Sequence, residues 1–494
     1  MKKIVVLLIL IFQNSYSQEI TLKWAEKIPT RGSVNVLGGK NGLFYTTHTN
    51  NDNNLVGRTY DKELSLKNEK IIDFNIDQKK YGYRGAYFLE NGIMHFVSES
   101  KRKEDKQYLY SILSDFNLKT SEKVNIVDEA DDNDKIQGFG VRSISPDSTK
   151  ILIYHEKVIQ RKEPNVLIYK VYDSGITNVI NEGEVSLPIK SKNYTTKELR
   201  VDNIGNVYVL AEIRKEKNER KKDESDYYFK LIVFAKNKEI KEFDFDYPEN
   251  DISYIDIIAG NNNAFFCTGF LNNLKGGRKK NLSDEMFFAV LDCNTLKLGK
   301  SKMIKVSGLY PEEIKKTQDF VPYKIRKIYQ KSDGGYSIVA EQYRMDVVTI
   351  CGQYGCTTRY IEYYCDIACI QTDSKMEVKS VSRIPKYQKN AGNASIISTF
   401  KNDNTYIVYE DLTSNLEAQS DKDTKRNSKS LKSSSTKNSL FLLTVKTNGE
   451  FKKEEVYSYK ESKIKARILT SLEINPGEIM LNADDQIGLL KIGK

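Results

Sequence analysis

Histidine is nearly missing from this chain: three residues in 494, His48, His95 and His155. No His-Glu pair stands at helical spacing, which removes the common zinc-protease signature. A glycine-rich phosphate loop and a nucleophile elbow are also missing, so neither nucleotide handling nor the usual serine-hydrolase geometry is signalled. Long apolar runs are missing as well. The longest, Ile4 to Phe12, has nine residues, whereas a membrane-spanning helix needs about 20. That short run follows Lys2 and Lys3 and precedes Ser15-Tyr16-Ser17, the charged, apolar and small-residue order of a secretory signal with cleavage after Ser17. No cysteine follows it directly, which argues against lipid anchoring. Residues 1–17 are therefore expected to be a signal peptide, and 18–494 an exported chain, periplasmic or extracellular, with no transmembrane segment.

Six cysteines are too few for a disulfide-built scaffold, so a large hydrophobic core must hold the fold. The net charge of +10 becomes +8 without Lys2 and Lys3, modest for a chain with 29% charged residues. Charge alone does not indicate nucleic acid.

One pattern recurs: an apolar strand, a tight turn of Asn, Asp or Gly, and a second apolar strand. The turns centre on Gly42, Gly92, Asp147, Gly205, Asn262, Gly334, Asn404 and Gly477, between 50 and 73 residues apart. One structural unit repeated eight times is the economical reading. The second strands, such as Ile151 to Tyr154 and Val207 to Leu210, are apolar on both faces, as required when neighbouring sheets cover both sides. Third strands follow (Tyr108 to Leu113, Phe229 to Phe234, Leu440 to Val445), then more polar fourth strands such as Lys241 to Tyr247. Four antiparallel strands with a wet outer edge make one propeller blade. The eighth unit, read as Ala466 to Ile474, Glu478 to Asn482 and Ile487 to Ile492, stops one strand short, and the alternating segment Ile20 to Ile28 has no earlier partner. Moving that segment to the end completes a ring. The expected fold is all-β: a single propeller of eight four-stranded blades closed by the N-terminal strand, with seven blades as the alternative.

Ser145-Pro146-Asp147-Ser148-Thr149-Lys150-Ile151 resembles the turn of WD40-like repeats in periplasmic and secreted bacterial proteins. Ser332-Asp333-Gly334-Gly335-Tyr336 resembles the "DGGY" turn of another group of secreted bacterial propellers. The resemblance implies a fold and no activity, since propellers serve binding, scaffolding and catalysis alike. Two segments depart from the repeat. Tyr310 to Gln318, with Pro311 at a first helical position, reads as a short helix. Residues 412–438, rich in Ser, Lys, Asn and Asp, read as a disordered loop.

Candidate site residues follow from this frame. The three histidines fall in the second strands of successive units, which a ring holds apart, so no metal site is expected of them. Cys351, Cys356, Cys365 and Cys369 have no standard zinc spacing. Cys365 and Cys369, four apart in a strand, are about 13 Å distant, too far for a disulfide or a shared metal. Cys351 and Cys356 bracket a loop that a disulfide could close. Cys267 and Cys293 read equally as buried thiols or a cross-strand bridge. An acidic residue recurs where second strands end: Glu99, Glu156, Glu212, Glu341, Glu410 and Asp484. It reads as a hydrogen-bond acceptor for nearby Lys, Tyr or backbone groups, or as a ring of carboxylates for a cation or basic ligand. Loops joining second and third strands share one face and are lysine-rich; Lys101, Arg102, Arg278, Lys279 and Lys280 are the candidate binding residues there. The expected role is a non-catalytic binding or scaffolding protein of the cell envelope or exterior, taking a protein or acidic glycan, with no cofactor and no nucleic acid. The alternative is a propeller hydrolase or lyase acting on polysaccharide.

Overall fold

The computed structural model describes residues 20–74, 81–101, 103–131, 135–158, 163–221, 224–247, 249–260, 262–273, 281–310, 321–352, 355–389, 394–418 and 436–493. The signal-peptide reading, all but Tyr310 of the helix expected over Tyr310 to Gln318, and Arg102, Arg278, Lys279 and Lys280 lie outside these residues. The described residues form eight antiparallel sheets, named here I to VIII in chain order. In I to VII the strands run in sequence from first to fourth, and sheets V and VI each carry one additional short strand. The hairpin turns follow from local chemistry. In sheet I, Lys40 and Leu43 are paired across a two-residue turn in which Asn41 and Gly42 both have positive φ, 52° and 78°. That backbone matches strand twist and is open mainly to Asn, Asp and Gly.

Sheet VIII is built from both ends of the chain. Its order is Leu472–Asn475, Glu478–Asn482, Ile487–Ile492 and then Ile20–Trp24, with Ile20 opposite Ile492 and Trp24 opposite Gly488. Its first strand is shorter than the expected Ala466 to Ile474. Ile468–Thr470 instead forms a 3-10 turn, closed by Thr470 N–H to Arg467 O at 3.2 Å and Ser471 N–H to Ile468 O at 3.1 Å. Burial of Ile468 and Ala466 against Tyr459 and Leu481 favours that turn over extension.

Apolar side chains join every neighbouring pair of sheets. Tyr45 meets Phe88 between I and II; Phe96 and Leu109 pack with Ile151 and Ile153 between II and III; Tyr169 stacks on Phe234 between III and IV. Tyr208 meets Phe265 between IV and V, and Phe266 meets Tyr336 between V and VI. Val339 and Cys369 pack with Tyr409 and Phe441 between VI and VII, and Val408 with Ile479 between VII and VIII. Finally Met480 and Leu489 of VIII pack with Phe44 and Tyr60 of I, which closes the circuit. First strands of adjacent sheets touch, among them those of III and IV, IV and V, and VIII and I. They therefore line the axis, and the fold is a β-propeller.

Candidate functional site

Because strands alternate in direction, the segments joining second to third strands leave on the same side as the links between sheets. Residues 102–105, 215–226, 274–280 and 413–437 all connect second to third strands on this side. Lys101 is described there, with Nζ 4.9 Å from the Tyr108 ring centre and 3.8 Å from Glu104. Three cations of the loop 215–226 are paired within its surroundings: Lys215 with Asp246, Arg220 with Asp226, Lys221 with Glu224. Lys190 and Lys192 both reach Glu216, and their hydrogen bonds hold its carboxyl at about 2. Residues 412–438 are not wholly the loop expected. Leu412 ends a strand, Thr413–Asn415 forms a 3-10 turn, Ala418 is buried and Asn438 begins the next strand. The cause is polar anchoring: Asn415 donates to Asp411 at 3.0 Å, and the Lys453 ammonium donates to the Ala418 carbonyl. Residues 419–435 lie outside the described set.

The recurring carboxylates each have donors. Glu99 accepts from Tyr110 at 3.2 Å. Glu156 accepts from Tyr154 at 3.0 Å, Thr196 at 3.1 Å and Asn165. Glu212 pairs with Lys197 at 2.6 Å and Arg214 at 3.2 Å. Glu341, fully buried, accepts from Arg326, Lys386 and Ser395 at 2.6, 2.6 and 2.9 Å. Glu410 accepts from Tyr459 and Asn438, and exposed Asp484 pairs with Arg467.

A feature missed by sequence reasoning explains two of these pairs. Seven of the eight first strands carry a register shift, between Val36 and Gly38, Tyr83 and Gly85, Val141 and Ser143, Thr196 and Glu198, Ile252 and Tyr254, Ile325 and Lys327, and Glu473 and Asn475. A bulge re-aims the inserted side chain. In sheets IV and VI the inserted residues are Lys197 and Arg326, and each turns onto the carboxylate of its own sheet, Glu212 or Glu341. In sheet II the inserted Arg84 donates to Ser98 at 2.7 Å. The available signal was a basic residue fifteen positions before the acid: Arg84 before Glu99, Lys197 before Glu212, Arg326 before Glu341.

These bulges shape a cleft of about 250 Å³ between sheets III and IV, at the long-loop end of the first strands. It is lined by Gln137, Arg142, Glu156, Thr196, Lys197 and Glu198, among others. Of the recurring acids, Glu156 is the one in this lining. Glu198, found by no sequence argument, pairs with Arg200 at 2.5 Å, and burial pushes its carboxyl above the usual range. Beyond it, Tyr254 donates to Asp256 at 2.6 Å, and the Lys324 ammonium lies 3.9 Å from the Tyr343 ring centre. The axis-facing end of the first strands thus carries anchored charges of both signs beside aromatic rings, an arrangement fitted to a polar ligand.

The three histidines are buried in the second strands of sheets I, II and III. His95 bonds Ser114 at 3.1 Å and His155 bonds Asp128 at 2.7 Å. Cys351 and Cys356 form a disulfide. Cys267, Cys293 and Cys369 are buried free thiols, and Cys365 is buried as well; burial pushes Cys293 up to about 12 and Cys369 to about 11, which keeps both protonated and unreactive.

One buried acid has a measurable signature. Asp411 is raised to about 6, by burial first, against hydrogen bonds from Leu412 and Asn415 and the charges of Lys386 and Lys453. Its ionisation therefore opposes folding. Relative to an ordinary carboxyl near 4, this rise is worth roughly 3 kcal/mol, present below about pH 4 and lost as pH rises through about 6. Asp411→Asn should accordingly flatten the stability profile: the wild type gains on the variant as pH falls from 7 to 5 in thermal melts. A constant difference across that range would exclude the assignment.

The fold and this polar axial end define a β-propeller. No family model and no curated protein matches the chain. Among solved structures it is similar to the WD40 domain of SCAP from fission yeast, at 9% identity and TM-score 0.40, over 96% of this chain and 95% of that one. It is also similar to the β-propeller domain of the Trilobed protease from Pyrococcus furiosus, at 12% identity and TM-score 0.37, over 89% and 98%. A third is the polysaccharide lyase ulvanlyase, at 11% identity and TM-score 0.35, over 78% and 93%. At such scores none of these bears on what this chain does.

Proposed function

We propose that this protein is an exported, non-catalytic binding or scaffolding propeller of the bacterial envelope or exterior, taking a protein or acidic glycan on its long-loop face. The observation that supports this reading is the state of the recurring carboxylates. Each is held by tyrosine, asparagine, lysine or arginine donors, whereas an acid-base pair for chemistry needs groups free to exchange protons with a substrate. The cleft between sheets III and IV adds Arg142 and Lys197 at the mouth of the axis, and Lys101 belongs to the same side. The test is immobilised-ligand binding with polygalacturonate and a sulfated glycan against neutral dextran, at low and high salt. Binding to the acidic polymers, weakened about tenfold or more by charge reversal at Lys101, Arg102, Arg278, Lys279 and Lys280, is the expected result, and salt should screen it. Equal binding by the reversed variant at low ionic strength would remove the basic docking face.

The second reading, a polysaccharide hydrolase or lyase, is favoured by one observation: Glu156 and Glu198 line the same cleft and the Glu198 carboxyl is raised by burial, as a general acid requires. Turnover of a glycan that disappears in both Glu156→Gln and Glu198→Gln would establish it in place of the first.

A further inference from the structure

The second and third strands of sheet VI, Tyr336–Gly352 and Gly355–Thr372, are the longest among the described residues. Their outer halves leave the ring as a two-stranded ribbon. The first strand of the sheet pairs with the second strand only as far as Gln342, and the short strand Gln388–Lys389 meets the third only at Tyr363 and Tyr364. Beyond those points the ladder partners of Arg344–Gly352 are the residues Gly355–Tyr363 alone. Both faces of the ribbon carry exposed apolar side chains: Met345, Val347 and Tyr360 are 47, 57 and 64% exposed on one, and Val348 and Ile350 are 37 and 51% exposed on the other, where Asp346 and Arg359 flank them. Residues 347–358 contain no charge, unlike the loops 101–106 and 214–226 that leave the same side. Cys351 and Cys356 tie the two strands together near the tip.

The disulfide also fixes which backbone groups face outward. Cys351 and Cys356 are directly opposite, with Cα atoms 4.0 Å apart, the close spacing of a non-hydrogen-bonded antiparallel pair. By alternation, Val347, Thr349 and Cys351 on one strand, and Cys356, Thr358 and Tyr360 on the other, direct N–H and C=O away from the ribbon. Among the described residues the edge Val347–Gly352 thus offers unpaired backbone groups, and it has none of the lysines, prolines or inward charges by which edges are normally blocked.

We propose that this edge pairs antiparallel with the same edge of a second copy of the chain. A two-fold axis at Thr349 places Thr349 opposite its counterpart, Val347 opposite Cys351 and Val348 opposite Ile350, all uncharged and mostly β-branched, so no like charges meet. The opposite edge carries Arg359 and is the poorer candidate. A lipid surface is disfavoured because the open amides would be stranded in hydrocarbon. Repulsion between two basic chains is limited by geometry: from Arg344 to Gly352 the arm spans about 25 Å at ~3.3 Å per residue, well beyond the screening length of about 8 Å at physiological salt.

Sedimentation velocity on the oxidised protein tests this. An arm-to-arm contact is small, so association should be weak and visible as a monomer–dimer shift between about 1 and about 200 μM. Thr349→Pro removes one outward N–H and no bond of the ribbon's own ladder, and should weaken association about tenfold or more. Thr358→Pro, on the other edge, should leave it unchanged. Both variants should keep the wild-type melting transition, because the arm lies outside the packing between sheets. A wild type monomeric across the whole range overturns the proposal, as does association insensitive to Thr349→Pro or abolished by Thr358→Pro instead.

Discussion

Deleting residues 20–28 should abolish cooperative unfolding rather than lower its midpoint by a few degrees. The segment supplies the outermost strand of sheet VIII, with Ala25 N–H donating to Ile487 O at 2.9 Å and Ile28 N–H to Asp485 O at 2.7 Å. Ile20, Leu22 and Trp24 pack on the cluster between sheets VII and VIII, with Trp24 edge-on to Tyr457, and Ala25 and Ile28 are buried between VIII and I. At about 1.5–3 kcal/mol for each large apolar side chain fully buried, the loss is on the order of 5 kcal/mol even after discounting the part-exposed members. That rivals the entire stability of many domains, roughly 5–15 kcal/mol. Calorimetry is the measurement, and a deletion variant with an unchanged transition would remove the closure argument.

Glu341→Leu should cost about 3–5 kcal/mol, because it leaves the Lys386 ammonium buried without its carboxylate. Both side chains are fully buried, 2.6 Å apart, and among the described residues Lys386 would keep Gln388 Oε1 at 2.8 Å as its hydrogen-bond acceptor, with the Tyr364 ring centre 6.0 Å away. The double change Glu341→Leu with Lys386→Met should recover much of the loss, since a buried ion pair can be replaced by apolar groups at little net cost. Chemical denaturation of the single and double variants decides this. A double variant as unstable as the single one would show that Arg326 and Ser395, not Lys386, carry the interaction.

Much of the fold was legible because its signals are local. A two-residue turn needs Asn, Asp or Gly wherever φ is positive, and Asn41-Gly42 and Asn402-Asp403 supply it. A strand covered on both faces must be apolar throughout, as Val207 to Leu210 is. The unpaired segment at residue 20 and the incomplete last unit pointed to each other for the same reason. The site was less legible because it depends on single insertions in first strands. Lys197 and Arg326 look in sequence like ordinary alternating residues, and one extra residue in the register turns them toward Glu212 and Glu341. Glu198 gave no signal, since its environment is made by sheet V through Asp256 and by Arg200. The turn at Ile468–Thr470 was misread as strand because its apolar residues satisfy either periodicity, and contacts with Tyr459 and Leu481 decided between them.

The pairing of Ile20–Trp24 with Gly488–Ile492 also sets an order of events. Of the described strands, Ile20–Trp24 is the earliest to be synthesised and the last to find its partner, because every other sheet must be made before residue 488 exists. Neighbouring strands can zip as they emerge, since their hairpins are local, but this contact spans nearly the whole chain and closes slowly. Until then the apolar faces of sheets VIII and I stay open to water and to other chains. Interrupted synthesis would leave them so permanently, which makes the arrival of the C-terminal strand the step that commits the ring.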